Sequence, residues 1–268
     1  MAKQNKKKGG AGLTVIIIIC LAICAFAGYK LVSTLLEYKE GTDEYKALRT
    51  YTTPRAPEEA SEAVSEGEDV WYDCPIDVDF DALRAINEDI VGWLYIGSLD
   101  ISYPIVHGED NDYYLHRTFE RTYNFAGSIF VEAKNKGDFS DPNTIIYGHN
   151  MKNGSMFGML KHLTTEEDKL NDPHFWILTP QSNYYYEMFS IRKVSVDGDV
   201  YTLFSGPDQQ VVDYALQMAQ ETSVELPKQS FTKDSRFATL STCTGDSAQR
   251  YVVQGLRVWS SAEHTKPD

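Results

Sequence analysis

From Leu13 to Gly28 the chain reads LTVIIIICLAICAFAG without a single charge, and after Lys30 it stays apolar through Leu31, Val32, Leu35 and Leu36. Inside a bilayer the backbone must satisfy its own polar groups, so such a segment can only be a helix there. A helix over residues 13–36 crosses roughly 30 Å of hydrocarbon, with the Lys30 ammonium reaching back to the interface. Lys6, Lys7 and Lys8 precede it, and the positive-inside rule holds residues 1–12 in the cytoplasm as a basic tail. The expectation is a single-pass cell-membrane anchor with the rest of the chain extracellular. Ala25-Phe26-Ala27 has the small-x-small form of a cleavage site, so a removed signal peptide is the alternative; both readings export the remainder of the chain.

Charge narrows the partners. The chain has 25 Lys plus Arg against 39 Asp plus Glu, and residues 1–36 hold five of the basic groups and no acid. The other 232 residues therefore carry 20 basic and 39 acidic groups, a net −19 that repels phosphate backbones, and nucleic acid is not an expected partner. The expected contacts with lipid are confined to residues 13–36.

Residues 37–75 are polar, with Pro, Ala, Ser and Glu dominant, and read as an extended or partly helical spacer that buries too little apolar surface to offset chain entropy. From Ile76 the texture changes. Phe80, Leu83 and Ile86 recur at helical spacing after Asp79, a suitable cap. Eight short apolar or alternating runs come next, separated by Gly, Asn, Asp and Pro: 93–96, 101–106, 128–131, 144–147, 175–178, 185–196, 237–242 and 251–259. Such a series suggests a barrel or a sandwich. One helical stripe interrupts it, Val211, Val212, Ala215, Leu216 and Ala219 after the cap-like Ser205-Gly206-Pro207-Asp208.

The run at 237–242 ends on Cys243, six residues intervene as TGDSAQ, and the next run opens at Arg250. An antiparallel hairpin sets Cys243 and Arg250 face to face at its mouth, about 5 Å apart, and a nearby fixed cation favours the nucleophilic thiolate. Of six histidines, His264 lies in a polar tail, His107 and His116 in charged loop-like surroundings, and His162 and His174 flank an acidic stretch. His149 differs, because it ends the buried-type run Thr144–Gly148, where glycine admits close backbone approach. It is a candidate acid/base or a satisfied structural histidine. Cys20 and Cys24 sit in the apolar stretch as small hydrophobes. Cys74 and Cys243 are the two cysteines outside, where pairing is the default suspicion.

Tyr147-Gly148-His149-Asn150-Met151, Gly154-Ser155-Met156-Phe157, Thr239-Leu240-Ser241-Thr242-Cys243 and Arg250 together resemble the sortases of Gram-positive bacteria, specifically class B. The likeness extends through Asn87–Trp93, Tyr103–Val106, Asp110–Leu115 and Ala126–Phe130, and covers about residues 76–262. The resemblance implies a mainly β fold: an eight-stranded barrel with N-terminal helices and a long helix between its sixth and seventh strands. It implies Cys243, His149 and Arg250 as the catalytic residues and Ser241 as a substrate contact, with no metal or organic cofactor. The implied activity is a cysteine transpeptidase that cleaves a C-terminal sorting motif of secreted proteins and passes them to a peptidoglycan amine. Residues 263–268 read as a polar tail. Thr244-Gly245-Asp246 lacks the glutamate that some members carry beside the cysteine. Two rivals stand beside this reading: a hydrolase in which water resolves the same thioester, and a non-catalytic wall-binding domain with a Cys74–Cys243 disulfide.

Overall fold

The computed structural model describes residues 10–55 and 72–263, in two units that meet between Asp43 and Glu44. The basic run at Lys6–Lys8, residues 56–71 of the spacer, and the tail with His264 lie outside the described residues. Helix α1 is Gly10–Leu48, and the stretch from Gly12 is long and apolar enough to cross a membrane. Leu13, Ile16, Ile18, Leu21, Ile23 and Phe26 are all exposed along it.

The second unit begins earlier than the composition suggests. Tyr45 and Leu48, inside the expected spacer, are buried in it, and strand β1 (Thr52–Pro54) pairs antiparallel with β2 (Ile76–Val78). The few apolar residues of 44–55 were enough to dock this end of the spacer because a partner surface already existed, which local composition cannot register. Helix α2 (Phe80–Ile86) forms as its pattern predicts, with the Asp79 carboxylate accepting from Ala82 N at 2.9 Å, although only Leu83 of the expected apolar stripe is fully buried.

Eight strands then close a barrel: β3 (Ile90–Ile96), β4 (Ile101–Val106), β5 (Ile129–Val131), β6 (Asn143–Tyr147), β7 (His174–Leu178), β8 (Asn183–Ser195), β9 (Phe237–Cys243) and β10 (Gln249–Ser260). Around the barrel the order is β10-β8-β7-β3-β4-β5-β6-β9, with β9 returning to β10. Most pairs are antiparallel; β4–β5 and β6–β9 are parallel. Every strand lies within two or three residues of the run expected for it, because turn residues bound each one.

Helix α3 (Gln209–Gln220) joins β8 to β9, the sixth and seventh barrel strands, and Asp208 caps it through Gln210 N. Its buried face is Val211, Tyr214, Ala215 and Met218, rotated from the expected stripe, and Leu216 is exposed. Tyr214 decides the rotation. Its hydroxyl donates to Val200 O at 2.9 Å and accepts from Gln254 Nε2 at 2.7 Å, bonds that a purely apolar count overlooks.

Below α3, Asn143 holds one end of the barrel together. Its amide donates to Val200 O and Thr202 O, each at 3.0 Å, and its carbonyl accepts from Thr239 Oγ1 at 2.7 Å. Asn143→Ala leaves these buried groups without partners and is expected to cost about 3 kcal/mol. Thermal unfolding should register this as a fall in Tm of roughly 6–12 °C; an unchanged Tm would show the network to be dispensable.

Candidate active site

Side chains alternate faces along a strand, so the register of three neighbouring strands decides what meets on one face. In the β9–β10 pair Cys243 stands opposite Arg250, as the hairpin reading requires. In the parallel β6–β9 pair Tyr147 stands opposite Ser241, and Gly148 N extends the ladder by donating to Ser241 O at 3.2 Å. His149, two residues beyond Tyr147, is thereby drawn level with Cys243, two beyond Ser241. Asn150 Nδ2 donates to Cys243 O at 2.8 Å and ties the two strand ends together. His149, Cys243, Arg250 and Ser241 thus converge on one rim of the barrel, from segments about a hundred residues apart in the chain. Gly148 is required by packing: a Cβ there would lie 2.4 Å from Ile129 Cδ1 and 2.8 Å from Phe157 Cδ2.

His149 is half-buried, and its Nε2 lies 2.7 Å from Leu115 O. A carbonyl only accepts, so the ring proton resides on Nε2, and in the neutral ring Nδ1 holds the lone pair. Burial depresses the imidazole pKa below its ordinary value, with the Leu115 bond opposing the shift and nearby His116 adding to it. Gly127 forms one wall of the ring's pocket. Its φ of +56° suits glycine, and a Cβ there would stand 2.6 Å from Leu115 O and 3.0 Å from His149 Cδ2.

Cys243 is exposed at the end of β9, and Cys74 is buried elsewhere. The Cys74 thiol donates to Ile76 O at 3.3 Å, burial pushes its pKa up to about 11, and the two cysteines are not bonded to each other. The Arg250 guanidinium donates through Nη1 to Ser247 O and Gln249 O, each at 2.9 Å, which presses it against its own hairpin loop. Thr244 and Asp246 shape that loop: Thr244 Oγ1 donates to Asp246 O at 2.9 Å, and the Asp246 carboxylate accepts from Ala248 N at 2.9 Å. Asp246 therefore serves the turn.

Ser241 is buried, and its hydroxyl lies 2.8 Å from the hydroxyl of Tyr201. Tyr201 ends the short 3-10 turn Asp199–Tyr201 and stacks on Tyr147 at 6.4 Å between ring centroids. Tyr147 in turn donates to Glu132 Oε2 at 3.0 Å. Burial raises the pKa of both phenols, and the Arg250 charge pulls each of them back down, so the cation lies within electrostatic reach of this aromatic pair. Sequence reasoning missed Tyr147, Asn150, Leu115 and Tyr201. Strand parity with His149 pointed to Tyr147; nothing local marks Tyr201, which lies 40 residues from Ser241. Of the other described histidines, only His116 lies close enough to act on His149. His162 and His174 pair with Glu166 and Asp172, His116 is exposed, and His107 is half-buried rather than solvated, with an Nε2 that has no partner among the described residues.

Comparison with known proteins gives one answer along nearly the whole chain. The sortase domain model matches residues 94–258. Sortase B of Listeria monocytogenes is 32% identical over 255 residues, covering 93% of this chain and 96% of that protein. Sortase B of Staphylococcus aureus is 27% identical over 90% of this chain and 94% of its own length. The crystal structure of sortase B from B. anthracis superposes with a TM-score of 0.67 at 26% identity, over 83% of this chain and 99% of that one.

The depressed basicity of His149 has a direct test. Burial penalises the imidazolium, so the ring should stay neutral until the pH falls below the ordinary histidine value of about 6.5. A titration of the His149 ring carbons by NMR should give a midpoint under that value, and one above it would contradict the buried setting.

Proposed function

This chain belongs to the sortase family of cysteine transpeptidases, with class B relatives, and from that premise we propose that Cys243, His149 and Arg250 carry the reaction and that Ser241 helps to seat the substrate. The observation that supports this most is the register: β6, β9 and β10 bring these side chains to one rim. In the first step the Cys243 thiolate attacks the carbonyl carbon of a threonine in the sorting motif. The peptide C–N bond breaks, a thioester forms, and His149 gives the leaving amine its proton. In the second step a peptidoglycan amine attacks the thioester, His149 takes the proton, the amide forms and the thiolate leaves.

The tautomer set by Leu115 O makes Nδ1 the nitrogen that carries this proton. Burial makes the imidazolium a stronger acid than an exposed one, which helps it protonate a departing amine, at the cost of a smaller protonated fraction near neutral pH. The planar fork of Arg250 can release a loop carbonyl and present two donors to a carbonyl oxygen that is gaining charge. Ser241 reaches the substrate once Tyr201 yields its hydroxyl, so the two act as one contact. Residues 13–36 anchor the chain in the cell membrane, the basic tail stays inside, and the catalytic domain, residues 76–262 with the docked segment from Glu44, works outside on secreted proteins.

Cys243→Ala should abolish cleavage of a sorting peptide while the Tm stays close to that of the parent, because one exposed sulfur is lost. Residual turnover by that variant would remove Cys243 from the mechanism. Arg250→Lys should be nearly as damaging as Arg250→Ala, since it keeps the charge and loses the fork; near-normal rates with lysine would reduce the role to simple charge. Transfer is separated from hydrolysis by titrating a diaminopimelate-containing or oligoglycine stem peptide into the full-length protein in detergent. A positioned acceptor has an effective concentration that water lacks. The ratio of amide to hydrolysed product, read by mass spectrometry, should rise and then saturate, and hydrolysis alone at millimolar amine would favour a hydrolase.

A further inference from the structure

We propose that Tyr45, in the last turns of α1, is a positioning residue for the reaction: it braces both walls of the pocket that holds His149. This role rests on His149 acting as the acid/base.

The first wall is the backbone of residues 114–117 and 124–128. Tyr45 is buried, and its hydroxyl donates to Gly127 O at 2.6 Å and lies 3.3 Å from Ser128 Oγ. Ser128 straddles Leu115: its N–H donates to Tyr114 O at 2.9 Å and its hydroxyl to Arg117 O at 2.8 Å. Leu115 O, held between them, is the acceptor for His149 Nε2. Gly127 itself sits so close to Leu115 O and the His149 ring that no side chain fits between. Movement of Gly127 therefore moves the carbonyl that fixes the tautomer.

The second wall is the loop after His149. The Tyr45 ring packs edge-on against Tyr103 at 5.4 Å and 81°. The Tyr103 hydroxyl accepts from Met156 N at 3.1 Å, and Met156 has a left-handed φ of +55° that a free loop would relax. Met156 bridges to Asn150, and the next residue, Phe157, donates its N–H to His149 O at 2.9 Å. One phenol thus fixes the histidine through its ring nitrogen on one side and through its own carbonyl on the other. Burial raises the Tyr45 pKa, so its hydroxyl remains a donor at every working pH.

Tyr45→Phe removes one hydroxyl and keeps the ring packing, and it is tested in the full chain in detergent micelles. Misplacement by a fraction of an ångström, with the chemistry left intact, should lower kcat on the order of tenfold with KM within twofold of the parent. Long-range 1H–15N spectra of the histidine rings should show His149 moving from the Nε2–H form toward a mixture of tautomers. Tyr45→Ala should be worse in both readouts and serves only as the severe case. His149→Ala runs alongside: activity surviving in it would overturn the assignment of His149 itself. An inactive His149→Ala together with Tyr45→Phe of normal kcat and unchanged tautomer would overturn the proposal for Tyr45 alone. So would a loss of rate that merely follows a lowered Tm while the His149 spectrum stays as in the parent.

Discussion

The parallel pairing of β6 with β9 is the contact on which the site and the barrel both depend. It joins residues 143–147 to residues 237–241, strands that no short turn can connect, and it leaves β9 free to close the ring against β10. A slip of one residue would turn His149 to the opposite face and leave Cys243 facing an unrelated side chain. The register is pinned below the site by a buried polar cluster in which Asn143, Thr239, Gln254 and Tyr214 hydrogen-bond to one another across β6, β9, β10 and α3, with Gln254 engaged through its Nε2. Apolar residues would tolerate sliding there. Directional bonds do not, because each misaligned step strands a buried donor or acceptor.

The same face of these three strands is divided in two. Phe237, Val252 and Leu256 at one end are covered by Val211, Tyr214, Ala215 and Met218 of α3 and form a closed core. Ser241, Cys243 and Arg250 at the other end run past the helix, where the short turn carrying Tyr201 gives lighter cover. The helix between the sixth and seventh strands thus stabilises one half of the face and, by its limited length, leaves the other half open to a peptide. The polar rim is accordingly built on a rigid sheet. Two smaller elements, the 244–249 loop and the Tyr201 turn, approach it from the sides.

The histidine shows how packing and chemistry are linked. A ring exposed to water would rotate freely; the half-buried ring of His149 does not, because a backbone carbonyl holds Nε2 and Gly127 brings main chain against its edge. The energetic cost is a less stable imidazolium. The return is one tautomer, with Nε2 held by Leu115 O and the lone pair fixed on Nδ1.

Much of this was legible in the sequence. Strand runs bounded by turn residues located all eight barrel strands, the Cys243–Arg250 pairing followed from a hairpin of known loop length, and Asp79 and Asp208 marked both helix starts. These are local signals: period, capping and turn chemistry act over a few residues, and the chain declares them wherever it goes. The family likeness singled out His149, which spacing alone had left as either catalytic or structural. What only the tertiary structure decided are the meetings between distant segments: β6 beside β9, Tyr201 on Ser241, Tyr214 turning α3, and residues 44–55 docking where composition read a spacer. Each depends on a partner surface assembled from elsewhere, and a burial or hydrogen bond that exists only after that surface has formed leaves no periodic trace in the residues that make it.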